Sequence, residues 1–364
     1  MKITLLTADL TKALNIANRF VSHRGQLPIL ANILVTASAT GITLSATNLE
    51  TGVRINLPGK VITGGEITTP ARNFTEFVAT VGDTQVEIET KESKLKVSSG
   101  KFKADFPTIA AAEFPVIPKI DTQPQISLPA DLIMQLAAQV AFAAASDESR
   151  PVLTGIKIFE ADGVLTAVGT DGFRLSKKTL TSKILDLSAV IPARTVLELS
   201  RVLGDMSQKS LSLVNLSENN QLVFVTPQVE LFTRVLEGNF PDVEKIIPKS
   251  FANEVVLDRN EFIRALRAAA IFARENNNII KFQITKSKFQ IKAASATSGE
   301  TEVELEADTT GEGEVVFNYK YITDFLTSVT AERIIMKFNE PTSPVQFEGE
   351  KDDSYLHIIM PIRI

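Results

Sequence analysis

The sequence predicts an α+β fold of three repeated units, each with two helices packed on antiparallel sheet. Three observations predict it. An amphipathic helix pattern recurs three times, a second helix pattern follows each at a near-constant distance, and alternating runs fill the intervals.

The first helix of each unit is marked by Leu10, Leu14 and Phe20, then Leu132, Leu136 and Phe142, then Phe262, Leu266 and Phe272. Each set shares one spacing, and the middle helix is expected to run from Leu132 to Ser146. Capping residues precede or open each helix: Thr7 or Asp9, Asp131, and Asp258 or Asn260. Strands follow at Ile29 to Ala37 and Gly41 to Ala46, at Leu153 to Glu160 and Gly163 to Val168, and at Lys281 to Lys286 and Lys288 to Ala293.

The second helices carry Phe74, Phe77 and Val81, then Val196, Leu199 and Leu203, then Ile322, Phe325 and Val329, each set on one helical face. Pro70-Ala71-Arg72 and Pro192-Ala193-Arg194 place a proline near two of the starts. Further alternating runs come after them, at Gln85 to Glu89, Leu211 to Val214 and Ile334 to Phe338. The joins repeat too: Phe114-Pro115 with Ile117-Pro118-Lys119, and Phe240-Pro241 with Ile247-Pro248-Lys249. These place domain boundaries near residues 122 and 250, giving units 1–122, 123–250 and 251–364.

Composition narrows the chemistry. The 364 residues are 44% hydrophobic and 22% charged, ordinary for a soluble globular chain. No long apolar run or signal peptide is visible, so a cytoplasmic protein without a membrane partner is expected. With no cysteine there are no disulfides or thiolate sites, and His23 and His357 are the only histidines. No metal or other cofactor is expected. A net charge of −5 argues against phosphate binding by the whole surface but leaves room for one basic face.

The middle unit carries Thr170-Asp171-Gly172-Phe173-Arg174-Leu175 after an apolar strand, a turn signal whose counterpart in the first unit is Thr47-Asn48-Leu49-Glu50. With Leu27-Pro28-Ile29-Leu30, Phe240-Pro241-Asp242 and the terminal Met360-Pro361-Ile362-Arg363-Ile364, it gives the whole chain a resemblance to the bacterial DNA polymerase III beta subunit family, the replicative sliding clamps. The resemblance implies a head-to-tail homodimer closing into a ring of six domains around double-stranded DNA, without sequence preference. It implies partners that dock through short linear peptides: the replicative polymerase catalytic subunit, an ATP-dependent clamp loader, and repair polymerases or ligase. Catalysis is not implied.

Carried over by position, the peptide cleft uses Leu153, Thr170, Gly172, Phe173, Arg174 and Leu175 from the middle unit and Pro241, Lys245 and Ile246 from the join. Pro344, Ile358, Met360, Pro361, Ile362 and Arg363 complete it. Phe173 stands where histidine is common in the family, and Lys245 where arginine is common, so this wall is more apolar and lacks a planar fork.

A ring around DNA needs helices that are basic on the inside. Lys12 and Arg19 on the first helix, Arg264 and Arg267 on the third unit's first helix, and Arg72, Arg194, Arg201 and Lys320 on the second helices supply candidates. Arg24 and Arg150 stand at family positions near DNA. The middle unit's first helix, from Leu132 to Ser146, has no basic residue. For the ring closure, Lys94, Lys96, Lys101 and Lys103 offer a basic edge, while Glu300, Glu302, Glu304 and Glu306 alternate on an acidic strand face. Ile271 and Phe272 suit an apolar interface cluster.

Two other readings stay open on the residues alone. An enzyme is poorly supported: Thr310-Gly311-Glu312-Gly313-Glu314 lacks the lysine of a phosphate loop, and neither histidine has a nucleophile signature. A three-unit scaffold that binds proteins but not DNA is compatible with composition.

Overall fold

The computed structural model describes residues 1–22, 27–82, 84–91, 93–118, 120, 126–181, 188–216 and 220–363. The first third runs β1 (Lys2–Leu6), α1 (Thr7–Ala17), β2 (Asn32–Ser38), β3 (Gly41–Thr47), β4 (Thr51–Leu57), β5 (Gly59–Thr63), β6 (Gly65–Pro70), α2 (Ala71–Thr80), β7 (Gln85–Lys91), β8 (Lys94–Ser99) and β9 (Phe102–Pro107). The middle third runs β10 (Ile126–Pro129), α3 (Ala130–Gln139), β11 (Gly155–Ala161), β12 (Val164–Thr170), β13 (Arg174–Thr181), β14 (Ser188–Pro192), α4 (Ala193–Asp205), β15 (Ser210–Leu216), β16 (Gln221–Val225) and β17 (Val229–Arg234). The last third runs β18 (Asn253–Asp258), α5 (Arg259–Ala273), β19 (Ile279–Ile284), β20 (Lys288–Ser295), β21 (Gly299–Glu306), β22 (Asp308–Thr309), β23 (Gly313–Asn318), α6 (Tyr319–Ser328), β24 (Arg333–Phe338), β25 (Val345–Gly349) and β26 (Tyr355–Ile359).

These elements gather into two compact units, Met1–Ile133 with Leu197–Val235, and Met134–Val196 with Leu236–Ile364. The first holds a five-stranded sheet, β5-β1-β7-β8-β9, and an eight-stranded sheet, β10-β15-β16-β17-β4-β3-β2-β6. The second holds a nine-stranded sheet, β14-β11-β12-β13-β26-β25-β24-β18-β22, and a four-stranded sheet, β21-β20-β19-β23. All the ladders are antiparallel. The eight-stranded sheet joins first-third to middle-third strands through β17 and β4, with Leu231 opposite Val53. The nine-stranded sheet joins middle-third to last-third strands through β13 and β26, with Leu175 opposite Ile358.

Apolar periodicity explains where the core lies. In the second unit, Phe262, Leu266, Ala269 and Ala273 of α5 meet Phe282, Phe289 and Phe317 from the four-stranded sheet. Phe325 of α6 and Phe347 of β25 continue the same cluster, with ring pairs such as Phe262–Phe289 at 5.7 Å and edge-on. In the first unit Leu10, Leu14, Phe20, Phe74 and Val78 are likewise buried. Among the described residues no helix is long and apolar enough to cross a membrane.

Three local expectations need correction. Helix α1 has Leu6, not Thr7 or Asp9, at its N-cap, with no side-chain bond. The helix follows β1 directly, and the Thr7 N–H donates to the Thr84 carbonyl at 3.0 Å, so the strand neighbour replaces a cap. Asp131 lies inside the first turn of α3, whereas Asp258 caps α5 as expected, its carboxylate accepting from the Glu261 N–H at 2.8 Å. Strands β2 and β11 start later than the apolar runs because Pro28–Ala31 and Pro151–Thr154 each form a tight helical turn, which a leading proline favours.

Helix α3 also stops at Gln139 instead of continuing to Ser146. Val140 leaves the helical well at φ −122°, ψ −44°, and its carbonyl oxygen is so close to Gly169 that a Cβ there would lie 2.6 Å away. The chain resumes as a short turn at Ala141–Ala143, and this frees the Phe142 carbonyl for another donor.

Candidate docking site and basic helix faces

The turn between β12 and β13 is built by its own side chains. The Thr170 hydroxyl donates to the Arg174 carbonyl at 2.6 Å and accepts from the Gly172 N–H at 3.1 Å. One Asp171 oxygen accepts from the N–H groups of Phe173 and Arg174, at 2.9 and 3.0 Å. Gly172 sits at φ +92°, a conformation costly for a side-chain-bearing residue. Phe173 in this turn is 64% exposed.

Arg174 fastens this turn to its surroundings. Its side chain is only 11% exposed. It donates to Asp171 at 3.1 Å, to Asp324 of α6 at 2.5 Å and to the Phe142 carbonyl at 2.7 Å. The guanidinium also lies 4.6 Å from the Tyr321 ring centre and 5.4 Å from that of Phe142. Burial and the carboxylates of Asp171 and Asp324 raise the Tyr321 phenol above its ordinary pKa, with Arg174 opposing.

The C-terminal segment runs alongside. The Met360 N–H donates to the Phe173 carbonyl at 2.9 Å, and the Ile362 N–H to the Val316 carbonyl at 2.8 Å. Val345 pairs with Ile359, the residue before Met360, where the ladder ends. Beneath lie Val168, Leu175, Val243 and Ile358, with Phe240 and Ile247 packed against them. Leu153, Thr170, Leu175 and Ile358 are buried, so they form floor and support; Pro241, Pro344, Met360, Pro361 and Ile362 are half-buried; Gly172, Phe173, Ile246 and Arg363 are exposed. Lys245 is exposed beside Asp242 at 3.1 Å. Lys177 ties the join to the sheet through Glu244 at 2.5 Å. Arg150 approaches the turn, with an Nη1 atom 3.8 Å from where a Gly172 Cβ would lie. Sequence reasoning read Phe142 only as a helix marker and missed its carbonyl and ring contacts to Arg174; it missed Tyr321 and Asp324 altogether, which no motif marks.

His357, next to Ile358, is fully buried. Its Nδ1 pairs with the Ser176 hydroxyl at 2.7 Å, and its ring stacks on Phe325 at 5.6 Å. Burial first, and then the Arg174 charge, hold its pKa down at about 3.

The basic candidates divide. Lys12, Arg267 and Lys320 are exposed on their helices. Arg264 is exposed and lies 3.6 Å from Glu261. With Arg259 and Arg267 it lines a groove of about 510 Å³ between α5 and α6. Arg259 itself donates twice to the Leu326 carbonyl near the end of α6. Arg72 pairs with Glu76, Arg201 with Glu198, and Arg19 with Asp205 at 2.7 Å and Glu198 at 3.5 Å. Arg19 is thus neutralised by α4 carboxylates rather than standing on an open stripe. Arg194 and Arg150 are exposed. Arg24 and Ile364 lie outside the described residues.

The charged edges are both sheet edges. Glu300, Glu302, Glu304 and Glu306 are exposed on β21, which ends the four-stranded sheet. Glu302 and Glu304 pair with Lys292 and Lys288 on β20, at 3.1 and 2.8 Å. Lys94, Lys101 and Lys103 are exposed and Lys96 half-buried on or beside β8 and β9, and β9 ends the five-stranded sheet. Phe102 on β9 is 48% exposed, an aromatic residue on an unpaired edge that the charge pattern did not flag, and Ile271 is 62% exposed with Phe272 half-buried.

Comparison with known proteins matches the chain three times in succession. Residues 1–118 match the N-terminal domain of the DNA polymerase III beta subunit, 127–242 its central domain and 244–363 its C-terminal domain. The beta sliding clamp of Bacillus subtilis is 29% identical and that of Synechocystis 28%, both covering 100% of each chain. Among solved structures, the DNA polymerase III beta subunit of Thermotoga maritima and the B. subtilis sliding clamp each superpose with a TM-score of 0.93 at 28% identity. Each covers 100% of this chain and 99% of its own.

Proposed function

Because the chain belongs to the DNA polymerase III beta subunit family, we propose that it acts as a DNA sliding clamp: a head-to-tail homodimer that encircles duplex DNA and tethers partner proteins. Its three domains would meet near residues 122 and 250. The role is mechanical and not catalytic. A histidine as buried as His357, with its pKa near 3, is a poor proton shuttle at neutral pH.

One observation carries the ring. In each third, the strand after the Thr47-type turn and the last strand hold equivalent places in the element order: β4 with β9, β13 with β17, and β21 with β26. The last strand of the middle third pairs with β4, and the last strand of the final third pairs with β13. By the same rule β9 should pair with β21, yet both are free edges. A second copy supplies the missing pairing in both directions, which closes a two-fold ring and joins the five- and four-stranded sheets. Basic β8–β9 against acidic β21 fits that direction.

Inside the ring, Lys12, Arg72, Arg150, Arg194, Arg201, Arg264, Arg267 and Lys320 would face DNA. Several already have carboxylate neighbours, which suits a lining that must slide rather than grip. The surface around Phe173, Lys245, Ile246 and Met360 to Arg363 would take short apolar peptides from the replicative polymerase, an ATP-dependent loader and repair polymerases or ligase. A cytoplasmic, nucleoid-associated protein follows from this role.

The test is topological. Protein loaded on nicked circular DNA should co-elute with it in gel filtration and be lost once the circle is linearised. Retention that ignores linearisation, or no retention at all, favours a protein scaffold without encirclement.

A further inference from the structure

We propose that Asp324 is a positioning residue for peptide docking: by holding Arg174 it fixes the turn that carries Phe173. The inference rests on the docking role proposed above and adds a residue 150 positions from that turn in sequence.

The first-third turn makes the case. There the Thr47 hydroxyl donates to the Thr51 carbonyl at 2.9 Å and accepts from the Leu49 N–H at 3.0 Å. Asn48 accepts from the N–H groups of Glu50 and Thr51 at 3.0 and 2.8 Å. Even the flanking bond recurs, with the Arg234 N–H donating to the Glu50 carbonyl at 3.0 Å. The two turns close by the same bonds, yet Thr51 stands where the other has Arg174. Closing the turn therefore needs no arginine. What Arg174 adds is attachment outward, to α6 through Asp324 and Tyr321 and to the Phe142 carbonyl. Charge-assisted bonds of this kind set orientation as well as strength.

The consequence falls on Phe173. Its exposed ring is one residue from Arg174, and its carbonyl receives the Met360 N–H. Loss of Asp324 frees one arm of the guanidinium, so the turn and the start of the C-terminal segment lose a shared reference point. Peptide then binds a wall that it must first order.

The experiment uses full-length protein and a fluorescein-labelled peptide selected from a random library against the wild type. Anisotropy is measured for Asp324→Asn, Asp324→Glu and Phe173→Ala, with thermal melts alongside. Asp324→Asn is expected to weaken the peptide about tenfold, mainly through faster dissociation, and Asp324→Glu to recover most of that loss. Affinity within about twofold of wild type for Asp324→Asn, with Phe173→Ala strongly impaired, overturns the positioning role alone. So does equal weakening by both Asp324 variants in proportion to lost melting temperature, since that is plain destabilisation. If Phe173→Ala also binds as wild type, the docking reading itself is wrong, and this inference goes with it.

Discussion

His357 shows how one side chain's surroundings fix its protonation. Its ring is enclosed by Phe142, Phe325 and β13, its Nδ1 has the Ser176 hydroxyl, and Arg174 adds positive charge nearby. The folded protein therefore keeps it neutral down to about pH 3, while the unfolded chain protonates it near the model-peptide value of about 6.5. Because the folded pKa is depressed for a basic group, its contribution is complete above about pH 6.5 and is lost as pH falls towards 3. Between about pH 6 and pH 4, wild type should lose ~1.4 kcal/mol of stability per pH unit more than His357→Gln, read from urea titrations at each pH. Parallel pH profiles would show that the imidazole is not held neutral. Nothing in the sequence around His357 signals this, because the residues that enclose it come from distant strands and helices. The same holds for Arg174: its place in a turn was legible from Asp171-Gly172, but its bonds to Asp324 and Phe142 were not, since no local pattern encodes which helix packs against that turn.

At the scale of elements, patterns that arise within one segment were readable, and those set by neighbours were not. Asp258 capping α5 follows from a short polar residue just ahead of an apolar period. The premature end of α3 does not, because its cause is the backbone contact between Val140 and Gly169 across elements. The two equivalent turns separate the same effects. Gly172 fits its φ of +92°, whereas Leu49 holds φ +78° at the matching position, with an exposed side chain. A left-handed leucine costs about 1–2 kcal/mol, partly offset in a glycine variant by the extra freedom of its unfolded chain. Leu49→Gly should therefore stabilise the protein by ~0.5–1 kcal/mol in chemical denaturation. By the same balance, Gly172→Leu should destabilise it by ~0.5–1 kcal/mol. Opposite signs at matched positions would tie the effect to backbone strain; a loss of stability in both would mean that Leu49 packs usefully where it stands.

For the whole molecule, the proposed ring leaves β9 and β21 as the edges to be joined, and the side chains on those edges would set how firmly. The alternating glutamates of β21 were legible as an acidic face, but two of them are already occupied: Glu302 and Glu304 have Lys292 and Lys288 beside them on β20. Hydrogen bonding to Glu304 raises the Lys288 pKa, so that pair is satisfied before any partner arrives. Surface pairs of this kind contribute little to association. Reversing all three of Glu300, Glu302 and Glu304 would also break bonds within the sheet and confuse dimerisation with stability. Phe102 gives the cleaner probe. It lies on the free edge β9, between Lys101 and Lys103 in sequence, and the other free edge, β21, carries Glu300 next to Gly299, whose Cβ position faces the Phe272 ring at 3.9 Å. A large aromatic residue between opposite charges is the kind that dominates binding energy at an interface, on the order of 2 kcal/mol or more. Phe102→Asp should raise the dimer dissociation constant by at least about thirtyfold in sedimentation, while Glu300→Lys alone should weaken it several-fold and mostly at low salt. A Phe102→Asp protein that stays as tightly dimeric as wild type would show that β9 and β21 are not the joined edges, and the ring would then have to close elsewhere.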